Sequence, residues 1–291
     1  MRLRYLFYIA IMVMSCTKEI EVEQPAYENK IAVDGWIEQG NFAHVILTLS
    51  SPFLTEYDSA SIRNTFLNYA KVTVTTGSGD SEVLTLFRQS EFFPPFIYKT
   101  IRIKGEVGES YTLKIETMGK TVTSTTTIPS APLVTSMRMV PASDTTGIIE
   151  AVVDDPADEV NYYYTQIKTK GMDSRYHPSA FPFTVDNTIN GTSAVIHVKR
   201  SNQPDPLGIY GIDMERNLPR TEFALSDTIS VKVSTIDKDS YLVLNGIFMD
   251  QLNNGNPFSF IDQKTATNIT GGVGRWTGMA SRATMVVYEK E

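Results

Sequence analysis

The chain has 291 residues, 42 % apolar and 20 % charged, a composition that excludes wholesale disorder and allows one large core or two medium ones. Its formal net charge is −7 and its longest basic run is the pair Lys199–Arg200. The clustered cations that a phosphate backbone demands are therefore missing, and nucleic acid is set aside as a partner.

Residues 1–15 carry Arg2 and Arg4 ahead of the uncharged run LFYIAIMVM, then the small residue Ser15. A positive start, a short apolar stretch and a small residue are the parts of a secretory signal peptide. A helix of this length reaches about 20 Å, short of the roughly 30 Å of a bilayer core. The only cysteine, Cys16, follows at once, in "VMSC". One cysteine makes no intramolecular disulfide and no Cys-x-x-Cys motif, but this junction resembles the lipobox of bacterial lipoproteins. That resemblance implies lipid attachment at Cys16, and two or more acyl chains at about 0.8 kcal/mol per buried methylene give stable anchoring. Without Arg2 and Arg4 the chain has 24 basic and 33 acidic residues, a charge of −9. Residues 16–29 read as an acidic tether. Glu19, Glu21 and Glu23 behind the cysteine, alternating with Ile20 and Val22, resemble the surface-export signal of some Gram-negative lipoproteins; that resemblance implies display at the cell surface, with the periplasmic face as the alternative.

From residue 30 the pattern turns to short runs rich in Val, Ile, Thr and Tyr with period-two alternation. Strands are expected at Ile31–Ile37, His44–Leu49, Ala70–Thr75, Val83–Phe87, Tyr98–Ile103, Tyr111–Glu116 and Thr121–Ile128. Tyr111, just inside a strand after a glycine turn, has the setting of a tyrosine corner. The proline-rich "IPSAPL" then marks a boundary between an N-terminal β-sandwich domain, 30–128, and a C-terminal β-rich domain, 133–291. Strands follow at Val134–Met139, Ile148–Val153, Tyr162–Thr169, Ala194–Val198, Thr228–Ile236 and Thr284–Tyr288, with long loops at Gly171–Thr192 and Ser201–Pro219. One helix is expected in "DKDSYLVLNGIFMDQLNN", capped by Asp237 or Asp239, with Tyr241, Leu244, Phe248 and Leu252 at helical spacing. The fold class is mainly β: two β-sandwich (immunoglobulin/transthyretin-like) domains, the second with long loops and one short helix.

Catalytic signals are weak. His44, His177 and His197 are far apart, no Gly-x-Ser-x-Gly or Ser-x-x-Lys occurs, and "GGVGRW" lacks the order of a phosphate loop and reads as a tight turn. Asp154, Asp155, Asp158 and Glu159 lack the EF-hand order and read as a solvated Asp-Pro turn. Paired acids for glycoside hydrolysis depend on a separation that sequence does not give. No catalytic residue, metal site or cofactor is assigned, and the expectation is a protein that is not an enzyme.

The unusual residues are aromatic. "EFFPPFIYK" sets Phe92, Phe93 and Phe96 around two prolines, and "RYHPSAFPF" carries Tyr176, Phe181 and Phe183. Rigid aromatics in proline-flanked loops suit ligand or partner contact, with packing of the loops onto the core as the alternative. Three consecutive tyrosines in "NYYYTQ" read as a strand, with Tyr162 and Tyr164 on one face and Tyr163 on the other.

"IAVDGWIEQG", "AKVTVTTGSG", "GEVGESYTLKIE", "TIPSAPL", "DDPADEVNYYYTQI", "GNPFS" and "TNITGGVGRWTG" occur in the order that resembles domain of unknown function family 4249, over roughly Ile31 to Gly278. Trp276 departs from the Phe or Tyr commoner there. The resemblance implies an outer-membrane lipoprotein encoded beside TonB-dependent receptors. The expected function is that of a non-enzymatic accessory or binding protein for a TonB-dependent nutrient transporter, with a small-molecule, glycan or peptide ligand. A surface hydrolase acting on glycan or peptide and a structural or adhesive surface module stand as alternatives.

Overall fold

A computed structural model describes residues 28–50, 59–90, 93–157, 160–186, 191–201, 221–253 and 266–289. Cys16, its leader and Phe92 lie outside the described residues, as does most of Ser201–Pro219. The described chain is mainly β, with sixteen strands and two helices. No described helix is long and apolar enough to cross a membrane.

In chain order the first half consists of β1 (Ile31–Glu38), β2 (Phe42–Leu49), α1 (Ser59–Asn64), β3 (Lys71–Thr76), β4 (Ser81–Val83), β5 (Thr85–Arg88), β6 (Phe96–Lys104), β7 (Ser110–Thr117) and β8 (Lys120–Thr127). The second half adds β9 (Leu133–Pro141), β10 (Thr146–Asp154), β11 (Tyr162–Thr169), β12 (His177–Val185), β13 (Ser193–Val198), β14 (Phe223–Ala224), β15 (Ile229–Ile236), α2 (Lys238–Asn253) and β16 (Val273–Val286). An eight-stranded sheet runs β12-β11-β15-β16-β1-β2-β6-β5. Two four-stranded sheets flank it: β4-β3-β7-β8, and β13-β10-β14 with β9 on the other edge of β10.

Alternation decides which faces are buried. In β7 the side chains of Tyr111, Leu113 and Ile115 are buried while Thr112 and Lys114 are exposed, as a half-buried antiparallel strand requires. These residues meet Val72, Val74, Val33, Val45, Leu47 and Trp276 in one core. A second core joins Ile149, Ala151 and Val153 of β10 to Tyr163 and Ile167 of β11 and Val231 and Val233 of β15. Each Val, Leu or Ile among them contributes roughly 1.5–3 kcal/mol on burial. Tyr111 forms the tyrosine corner: its hydroxyl donates to the Lys104 carbonyl at 3.0 Å and accepts the Glu106 N–H at 2.8 Å.

The long strand β16 links the two halves. Its start pairs in parallel with β1, from Ala32↔Val273 to Glu38↔Met279, and its end pairs antiparallel with β15, from Ile236↔Met279 to Ile229↔Val286. The glycines of "GGVGRWTG" make this possible. Gly274 has φ +104° and a Cβ there would sit 2.0 Å from the Val33 carbonyl oxygen; at Gly278 a Cβ would sit 2.8 Å from that of Thr127. The expected tight turn thus extends only to Gly271 and Gly272, and Val273–Trp276 is strand. The expected loop Gly171–Thr192 likewise contains a strand, β12, an edge position where Pro178 and Pro182 are tolerated.

Candidate binding groove

The face of the eight-stranded sheet turned away from both cores carries the even-numbered residues of β1, Asp34 and Trp36, and on β15 Lys232, Ser234 and Ile236. Helix α2 covers part of this face. Its N-cap is Asp237, whose Oδ1 accepts the Ser240 N–H at 2.6 Å while Oδ2 accepts the Thr126 hydroxyl at 2.6 Å. Beneath the helix an aromatic cluster forms. Tyr164 stacks on Phe183 with centroids 5.1 Å apart, Tyr162 lies 4.9 Å from Tyr241, and Phe183 meets Phe248 edge-on at 6.0 Å. Tyr163 points to the opposite side, into the second core, as the period of two demands.

Beside α2 a groove of about 690 Å³ opens over this face, floored by Asp34, Trp36, Tyr164 and Arg275 and walled by Phe93 and Phe248. Parallel pairing of β1 and β16 sets Asp34 across from Arg275, and Arg275 Nε lies 2.7 Å from Asp34 Oδ1. The guanidinium also stands 5.8 Å from the Trp36 ring centroid, a cation–π distance. Trp36 stacks on His44 at 5.1 Å and 3°. The His44 Nδ1–H donates to the Phe42 carbonyl at 2.8 Å, and burial, reinforced by the nearby Lys99 charge, holds the His44 pKa below its ordinary value. At the other end Lys232 lies 3.5 Å from Glu38 and 4.9 Å from the Tyr176 ring centroid. The Tyr176 hydroxyl shares a 2.6 Å hydrogen bond with Ser230.

Of the aromatic residues singled out from sequence, Phe93, Tyr176 and Phe183 line this groove. Phe96 is half-buried in β6, across from Arg88. Phe181 is 64 % exposed on the edge strand, with Lys199 at 5.9 Å from its ring, and is not part of the groove lining. Trp36 and Arg275 carry no local signal of their own, and Tyr164 stands out only as part of the tyrosine-rich strand. A second cavity, of about 590 Å³, lies between β9 and the end of β16 and is lined by Met137, Met139, Met285 and Tyr288.

Of the acids in "VVDDPADEV", expected in a solvated turn, Asp155 is instead drawn inside by its hydrogen bonds. Asp155 is buried and accepts hydrogen bonds from the Tyr163 hydroxyl and the Gly191 N–H, and Asp154 accepts one from Ser193; Asp158 and Glu159 lie outside the described residues. Asp186, fully buried, accepts the Asn161 N–H at 2.8 Å. Burial, and secondarily the neighbouring Asp155, pushes its pKa up. Burial also pushes the Tyr163 phenol far above its ordinary value, with Asp155 adding to the effect. Among the described residues no group of three or more His, Cys, Asp or Glu could hold a metal ion. The His177 ring bridges Asp173 at 3.2 Å and the Pro178 carbonyl at 3.1 Å, buried on the protein side of β12.

The fold and groove define a β-rich protein with a partly cationic, aromatic-lined surface cleft. Residues 17–284 match the family described as Domain of unknown function (DUF4249), and the chain belongs to that family. A comparison with curated proteins finds no match.

Proposed function

We propose that this chain is a lipid-anchored lipoprotein of the outer membrane, displayed at the cell surface, that acts as a non-enzymatic accessory or binding protein for a TonB-dependent nutrient transporter. Cys16 is its attachment point, and the family membership supports the setting. Its body is read as two immunoglobulin/transthyretin-like β-sandwiches, one around each core, that share the eight-stranded sheet. The groove is the observation that carries the binding role. It gathers aromatic and charged side chains from β1, β11, β15, β16 and α2 at one opening, and a cleft of this size with a few convergent polar groups is the usual form of a ligand site.

The test is recovery of the tagged full-length chain from membranes in mild detergent. A large β-barrel protein should come with it, and Cys16→Ser should release the chain from the membrane fraction. Recovery without any barrel, or a Cys16→Ser chain that stays membrane-bound, contradicts the proposal.

A further inference from the structure

We propose that the groove takes a short apolar peptide, held by its free C-terminal carboxylate at Arg275; this rests on the binding role given to the groove above. Charge is the first argument. In a chain of formal charge −7, the described lining of the groove contains the cations Arg175, Lys232 and Arg275 and the carboxylate of Asp34, with Glu38 beside Lys232 at 3.5 Å. Asp34 engages Arg275 through Nε, and the side chain of Arg275 is 17 % exposed. Its two terminal nitrogens have no hydrogen-bond partner among the described residues. An arginine whose one edge is fixed by a carboxylate and whose other edge is idle is oriented to accept a second carboxylate through paired N–H donors.

A side-chain amide adds a polar partner. Gln166 lines the groove directly across from Lys232 on β15. Its side-chain amide N–H is a donor suited to the carbonyl of a peptide bond. The third argument is the apolar lining. Ile46, Phe93, Ile247 and Met279 offer aliphatic and aromatic surface. The rings of Trp36, Tyr164 and Tyr176 are already covered on a face by His44, Phe183 and Lys232 respectively. Apolar side chains of a ligand suit a lining of this kind. The volume, about 690 Å³, falls within the range of small-ligand sites.

The test uses the full-length chain in detergent and isothermal titration with a panel of apolar tripeptides ending in Leu or Phe. Each is supplied as the free acid and as the C-terminal amide, with tri-galacturonate as an acidic saccharide. At least one acid should bind ten or more times tighter than its amide. Arg275→Gln should abolish that difference, and Arg175→Gln, in the loop before β12, should weaken acid binding more than amide binding. Equal binding of acids and amides, binding of none, or binding of the saccharide alone overturns the inference. The acid–amide comparison is made on the unaltered protein, so it stands even if a variant fails to fold. Absent acid preference with the barrel still recovered overturns this inference alone. Lost barrel recovery with acid preference intact overturns the accessory role alone.

Discussion

The indole Nε1 of Trp276 donates to the main-chain carbonyl of Tyr111 at 2.8 Å, binding β16 to β7 through a fully buried side chain. Asn268 completes the clamp: its side chain accepts the Trp276 N–H at 2.9 Å and donates to the Trp276 carbonyl at 2.8 Å. Trp276→Phe should therefore cost about 2 kcal/mol or more, the sum of a partial cavity and an unpaired carbonyl. Because β16 also supplies Val286 to the second core, urea unfolding should remain one transition at a lower midpoint. Two separate transitions, only one of them shifted, would contradict this coupling.

Backbone approach makes a sharper prediction. Gly79 and Gly274 both have positive φ, but a Cβ at Gly79 meets nothing within 4 Å, while one at Gly274 lies 2.0 Å from the Val33 carbonyl oxygen. Gly79→Ala should cost about 1 kcal/mol, the conformational penalty alone. Gly274→Ala should cost about 3 kcal/mol or more, since the parallel pairing of β1 and β16 must open to admit the methyl group. Equal losses in thermal melts would show that this close approach is absent.

Helix α2 is fixed by Asp237 and its bond to Thr126. Asp237→Ala should cost about 1–2 kcal/mol, whereas Asp237→Asn, which retains an N-cap acceptor, should lose only a fraction of that. Thermal melts of the two variants make the comparison.

Asp186 gives a pH dependence whose sign follows from its raised pKa. Between the ordinary carboxylate value and the raised folded value, the folded chain holds a proton that the unfolded chain has released. Stability therefore falls as pH rises through that window, and the cost is present in full above it. Asp186→Asn, which still accepts the Asn161 N–H, removes this cost. Its gain in melting temperature should be larger at about pH 7.5 than at about pH 4; the same gain at both, or the reverse order, contradicts the assignment.

Sequence alone located most strands because their inward residues alternate with Thr, Lys and Glu, as in β7 and β8. It located α2 because Tyr241, Leu244 and Phe248 recur on one face behind an Asp cap. β12 was hidden by Pro178 and Pro182, which interrupt the alternation but do no harm at a sheet edge. The start of β16 was hidden by glycines whose role is to admit neighbouring backbone, a requirement set by residues remote in sequence. The groove was legible only in part for the same reason. Phe93, Tyr176 and Phe183 stood out as aromatics near prolines, whereas Arg275 acquires its place over Trp36 through the parallel pairing of β1 with β16.

The groove face is the proposed working surface of the proposed membrane-tethered accessory protein. Photo-crosslinking in intact cells tests it most directly, with a benzophenone amino acid placed at Phe93 or Tyr176 in the groove and at Val195, an exposed position on β13. The account predicts adducts to a large outer-membrane β-barrel from the two groove positions and none from Val195. Adducts from Val195 alone, or from no position, would contradict it.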